Sequence, residues 1–147
     1  MRPCFSITMI TTIVLGSLIA GCIPSGTSVS EPTAANLESD GYQTLSIDQF
    51  ANIIANQSAQ YTIVNVHIPY EGEIAETDLT IPYNDISALT RALPDQNAPI
   101  ILYCRSGRMS EEASRELIDL GYTQLWDVPG GMIAWESSGH ELLNREQ

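Results

Sequence analysis

The stretch that most constrains the fold is Pro99 to Glu112, P-I-I-L-Y-C-R-S-G-R-M-S-E-E. Ile100 to Tyr103 form a short apolar run of the kind that makes a buried parallel strand, and Cys104 stands at its C-terminal end. After Met109 the pattern turns helical: Ala113, Leu117, Ile118 and Leu120 recur between charged positions. A strand, a glycine-containing loop and a helix start therefore surround one thiol. Amides in such a place lack intrahelical partners, and the helix dipole adds partial positive charge, so the loop is an anion cradle. The same field, with Arg105 and Arg108 beside it, is expected to stabilise negative charge on Cys104. A cysteine that only fills a core needs neither a glycine loop nor two arginines behind it.

The rest of the chain alternates strand and helix around this unit. Tyr42 to Leu45 is a short strand candidate, and Ser46 with Gln49 forms a capping-box pattern for a helix whose apolar face is Phe50, Ile53 and Ile54. Tyr61 to Val66 is a β-branched strand. His67 to Tyr83, with Pro69, Gly72 and Pro82, reads as a long loop holding a short strand near Leu79 to Ile81. Asn84 caps a helix to Leu93, with Ile86, Leu89 and Leu93 on one face, and Pro94 stops it. Gly121 is a C′ residue for the helix after the cysteine loop. Gln124 to Val128 is a last strand, Gly130-Gly131 a turn, and Met132 to Ser137 a short helix. Such alternation predicts an α/β domain with a parallel sheet of about five strands, whose ligands sit at the strands' carboxyl ends, where Cys104 lies.

Two motifs carry a family resemblance. C-R-S-G-R-M-S at Cys104 to Ser110, between an apolar strand and a helix, resembles the active-site loop of the rhodanese sulfurtransferases. Leu120-Gly121-Tyr122, Val128-Pro129-Gly130-Gly131-Met132, Ala134-Trp135 and Gly139 look like that family's C-terminal ending. The resemblance covers roughly Tyr42 to Leu143 and implies a rhodanese-like fold, a parallel five-stranded sheet flanked by helices. It also implies that Cys104 takes a sulfane sulfur from a donor (thiosulfate, polysulfide or persulfide) and passes it to a thiol or to cyanide. In that reading Arg105, Ser106, Gly107, Arg108, Met109 and Ser110 bind the transferred sulfur through the loop amides, and no cofactor is needed. The apolar Met109 suits a thiol or polysulfide donor better than a small inorganic anion. Where the family writes a charged Asp and Arg pair, this chain has Asn65 and His67, which puts the charge of the substrate pocket in doubt. His67 is open to two readings, a general base or a structural hydrogen-bonder. Arg105 and Arg108 are likewise either substrate clamps or solvated charges. Trp126 and Trp135 read as packing.

Composition narrows the alternatives. The net charge is −12 with no lysine, and such a surface repels nucleic acid. It also repels a dianionic donor at long range. Cys104 is the only cysteine after Cys22, so neither an internal disulfide nor C-x-x-C chemistry is available to the domain. Two histidines and one domain cysteine do not make a metal site. Cysteine phosphatases use C-x5-R, whereas Ser110 stands six residues after Cys104. The main alternative is a non-catalytic rhodanese-like binding or regulatory module.

The N-terminal part has its own pattern. Residues 1–21 read as an export signal, with Arg2 and an apolar stretch from Met9 to Ala20. Leu18-Ile19-Ala20-Gly21-Cys22 resembles a bacterial lipobox, which implies cleavage before Cys22 and lipidation of that residue. Residues 22–41, rich in Ser, Thr, Pro and Ala, read as a flexible tether, and 42–147 as the domain. The expectation is a monomer lipid-anchored to the cell envelope through Cys22. Ile23 after the cysteine favours the outer membrane if the source has two.

Overall fold

The computed structural model describes residues 36–37 and 41–144; the lipobox and Cys22 lie outside the described residues. The elements run β1 (Asn36–Leu37), β2 (Gln43–Thr44), α1 (Ile47–Asn56), a 3-10 turn (Ser58–Gln60), β3 (Thr62–Asn65), β4 (Leu79–Thr80), α2 (Ile86–Ala92), β5 (Ile100–Tyr103), α3 (Arg108–Asp119), β6 (Leu125–Asp127) and α4 (Gly131–Ser137). The sheet order is β1-β2-β6-β5-β3-β4. Strands β2 to β6 pair in parallel, as the alternating pattern predicts. β1 is an addition: it lies in the stretch read as tether and pairs antiparallel with β2, Asn36 opposite Thr44. Two residues carry no readable periodicity, so this edge strand is set by its partner.

Side-chain alternation along the strands divides the core in two. Ile100, Leu102 and Cys104 point to one face of the sheet, where they meet Leu89, Leu93, Ala113 and Leu117 of α2 and α3 and the segments that end them. Ile101 and Tyr103 point to the other, against Phe50, Ile53, Met132 and Trp135 of α1 and α4. Both faces of β5 are therefore covered, and all four of its residues are buried. That accounts for an unbroken apolar run in the sequence where a half-buried strand would alternate.

The helix ends follow local chemistry with small corrections. Ser46 and Gln49 form the full capping box on α1. α2 is capped by Asp85, whose carboxylate accepts from the Ala88 amide, not by Asn84. α3 starts at Arg108, earlier than the apolar spacing indicates, because Gly107 takes φ +98° and turns the chain directly into the helix. Leu120, counted on the apolar face by spacing, is exposed beyond the last helical turn. Gly131 belongs to α4 rather than to a turn before it.

The long segment after β3 is held by buried polar contacts. The Asn65 side chain donates to the Gly72 carbonyl at 3.1 Å and accepts from the His67 amide at 3.0 Å. The Tyr103 hydroxyl accepts from the Ile74 amide at 2.9 Å and lies 2.7 Å from Thr77 Oγ1. Thr77 Oγ1 itself donates to the Ile74 carbonyl, so the phenol proton points at Thr77. Burial pushes the Tyr103 phenol up to about 12, the hydrogen bonds with Thr77 and Ile74 only partly offsetting it, so it stays neutral in ordinary buffers. Replacing Tyr103 by Phe removes two buried hydrogen bonds and leaves the Ile74 N–H without its acceptor. The expected loss is about 1–3 kcal/mol by urea unfolding, with faster hydrogen exchange at the Ile74 amide.

Candidate active site

Cys104 emerges from the carboxyl end of β5 between β3 and β6, and it is buried. The loop that follows folds back over its sulfur. The Gly107 amide donates to Cys104 Sγ at 3.1 Å, and Ser110 Oγ lies 3.6 Å from the same atom. Ser110 Oγ also donates to the Gly107 carbonyl at 2.9 Å, which ties the first turn of α3 to the loop. The first intrahelical bond of α3 runs from the Glu111 amide to the Gly107 carbonyl. The amides of Arg108, Met109 and Ser110 therefore precede the helical ladder, at the positive end of the dipole.

The loop carbonyls are turned away from the sulfur by α4. The Met132 amide donates to the Cys104 carbonyl and the Ile133 amide to the Arg105 carbonyl, both at 3.0 Å. This approach needs a glycine: a Cβ on Gly131 would collide with the Cys104 carbonyl oxygen. The Gly-Gly step at 130–131 is thus part of the cysteine loop's support.

The site residues named from the sequence fall into two groups. Cys104, Gly107 and Ser110 are buried together, and Met109 packs half-buried against the core cluster that contains Cys104. Arg105, Ser106 and Arg108 are exposed. Each of the two arginines has a carboxylate partner. Arg105 Nε lies 2.9 Å from Glu71 Oε2, and Arg108 reaches Glu112 at 3.4 Å one helical turn on. His67, at the end of β3, sits with Nε2 3.4 Å from the same Glu71 oxygen. Glu71 therefore gathers His67 and Arg105 beside the loop. His140 has a different place, stacked on Trp135 with ring centroids 4.1 Å apart. Trp135 packs on Phe50 and Trp126 on Tyr61, as packing residues do. Among the described residues no group of acidic, histidine and cysteine side chains could hold a metal ion.

Two residues of the site were not singled out by sequence. One is Glu71, which the spacing left as one acid among several in the long loop. The other is Asp127, at the carboxyl end of β6. Asp127 lines a pocket of about 390 Å³ beside the loop, together with Ser106, Gly107, Arg108, Glu111 and Arg115. Its place at the end of a parallel strand next to the cysteine strand was a readable signal. Burial pushes Asp127 up to about 6, the nearby polar groups of Ser110 and Val128 only partly offsetting it, and Glu111 adds like charge.

With this geometry in view, comparison with known proteins is decisive. Residues 61–138 match the rhodanese-like domain family, over half of the chain. The chain belongs to the rhodanese family. The match takes in the cysteine loop, Asp127 and the Gly-Gly step alike. The chain is 28% identical over 130 residues to Rhodanese-like domain-containing protein 15, chloroplastic, of Arabidopsis thaliana, covering 85% of this chain and 65% of that one. It thus spans just under two thirds of that relative's length. Thiosulfate sulfurtransferase PspE of Escherichia coli is 30% identical over 70 residues, 46% of this chain and 67% of that one. A sulfurtransferase of Allochromatium vinosum is 31% identical over 87 residues, 57% of this chain and 79% of that one. Among solved structures, a rhodanese-related protein from Thermoplasma volcanium superposes with a TM-score of 0.58 at 25% identity, over 69% of this chain and 98% of that one. The chain thus has the family's fold and relatives that are sulfurtransferases.

The raised Asp127 gives a stability test with a defined sign. A carboxyl that holds its proton more tightly folded than unfolded contributes stability fully below its unfolded value, and loses it as pH rises through the folded one. The shift from 3.8 to about 6 is worth on the order of 3 kcal/mol across that window. Urea unfolding at pH 4, 5, 6 and 7 is expected to show the wild type falling relative to Asp127→Asn by about that much.

Proposed function

We propose that this member of the rhodanese family is a sulfurtransferase that carries sulfane sulfur on Cys104. The observation that supports the reading most directly is the Gly107 amide donating to Cys104 Sγ at the start of α3, with three further helix-start amides beside it. Such a cradle stabilises negative charge on a terminal sulfur bonded to Sγ. In the first half-reaction the Cys104 thiolate attacks the donor's outer sulfur. The bond from that sulfur to the donor breaks, and its electron pair leaves on sulfite when thiosulfate is the donor, or on a thiolate when a persulfide is. In the second, an acceptor thiolate or cyanide attacks the outer sulfur of the Cys104 persulfide and regenerates the Cys104 thiolate. Each step exchanges one sulfur–sulfur bond for another or for a carbon–sulfur bond, so no external oxidant or reductant enters. The family's sulfurtransferase relatives support the same chemistry, while the donor and acceptor here are set by this chain's own site.

The proposal includes a place at the cell envelope. The Leu18 to Cys22 lipobox resemblance supports a chain acylated on Cys22, in which several acyl chains give stable anchoring at about 0.8 kcal/mol per buried methylene. In cells fed an alkyne analogue of palmitate, the expressed chain is expected to take up label and pellet with membranes. Cys22→Ser is expected to do neither.

Intact mass tests the chemistry. The full-length protein, reduced and then mixed with thiosulfate or a polysulfide, is expected to gain one sulfur, about 32 Da. The gain is expected to disappear on adding cyanide or a thiol, and to be absent in Cys104→Ser. No gain from any donor in folded, reduced protein would assign the domain to the binding-module class instead.

A further inference from the structure

Three arginines lie on or beside the cysteine loop, and each has a carboxylate at ion-pair distance. Arg105 pairs with Glu71 at 2.9 Å, Arg108 with Glu112 at 3.4 Å, and Arg115 with Glu111 at 2.8 Å. The last two pairs run one turn along α3, a spacing common on exposed helices. The first does not. Glu71 comes from the segment after β3, which Asn65 and Tyr103 hold against the sheet, and it reaches across to the residue directly after Cys104. The same oxygen lies 3.4 Å from His67 Nε2. The Arg105 and Glu71 side chains are 54% and 42% exposed, so their pairing adds about 0–1 kcal/mol to stability. A contact of so little worth to the fold still changes the formal charge beside the cysteine loop by one unit.

Resting on the sulfur-transfer reading above, we propose that Glu71 is a specificity-determining residue that turns the site away from dianionic donors and toward donors of low charge. The substrate class that fits is an organic persulfide, neutral or monoanionic. With Arg105 countered, the charge that meets a donor comes from backbone amides, which suit a single terminal sulfur. A dianion meets the Glu71 carboxylate beside the loop and a protein of net charge −12. A persulfide R–S–SH places its outer sulfur on Cys104 and leaves as the thiolate R–S−. Its R group needs no cationic clamp. Glu71 touches Arg105 rather than the reacting sulfur, so it acts through that side chain and through its own field.

The test compares two donors on the full-length protein. The rate of Cys104 persulfide formation is read by intact mass with thiosulfate, and with an alkyl persulfide of uncharged alkyl group released in situ. A unit charge roughly 6–8 Å from a dianion, in water-like surroundings, alters its local concentration about five- to tenfold. Glu71→Gln is therefore expected to raise the thiosulfate rate about five- to tenfold at low salt and its ratio to the rate with a monoanionic alkyl persulfide about two- to threefold, both less at about 1 M salt. Glu71→Asp, which keeps the charge, is expected to keep the wild-type ratio. A ratio unmoved by Glu71→Gln, or moved equally at low and high salt, would overturn the assignment of Glu71 while leaving sulfur transfer intact. Failure of wild-type protein to take sulfur from either donor would overturn the sulfur-transfer reading, and this inference with it.

Discussion

The site depends on two hydrogen bonds from the Met132 and Ile133 amides to the Cys104 and Arg105 carbonyls. A tight loop can point either its carbonyls or its amides inward, and only the second arrangement binds an anion. By accepting from α4, the carbonyls of the first two loop residues are committed elsewhere. The amides that follow are left for the sulfur. The fold supplies this arrangement through β5 and β6: neighbouring parallel strands deliver Cys104 and Asp127 to the same edge, and the turn after β6 then passes under the loop. Gly131 makes the approach possible, and Gly107, whose own Cβ would press on the Gly130 nitrogen, completes it. The active loop is therefore a joint product of two segments more than twenty residues apart in the chain.

What could be read from the sequence was whatever local chemistry decides. The Ser46 and Gln49 capping box, the apolar β5 run and the break at Pro94 depend on neighbours within a few residues, and they appear in the structure where the sequence puts them. Errors arose where two local solutions compete. Asn84 and Asp85 are both good caps, and the chain uses the one whose carboxylate reaches the Ala88 amide. Gly107 and Gly131 each carry a backbone turn directly into a helix, so apolar spacing places both helix starts late.

The candidate site divides the same way. Cys104 and its loop were legible because strand, glycine and helix start are contiguous. Glu71 was not, because its meaning depends on a contact with Arg105, 34 residues later, that no periodicity encodes. Asn65 and His67 showed as departures from the family's charged pair. Their roles differ: Asn65 closes the chain back on Gly72 through its own side chain, while His67 lies against Glu71. Buried Asn65 thus supplies by neutral hydrogen bonds the anchoring of this segment, and the charged partner of the loop arginine comes from Glu71.

The anchoring of the segment after β3 separates two tasks that are often coupled in enzymes. Its position is fixed from below the sheet, by Tyr103 reaching Ile74 and Thr77 on the α1 and α4 face. Its charged tip, at Glu71, stands in solvent above the strand ends. Sites whose recognition groups are also core groups can change preference only by risking collapse. Here the tip is free to vary while the anchor stays. Under the role proposed for Glu71, a lineage carrying this scaffold could exchange one class of sulfur compound for another through single surface substitutions, keeping Cys104, its loop and its folding intact.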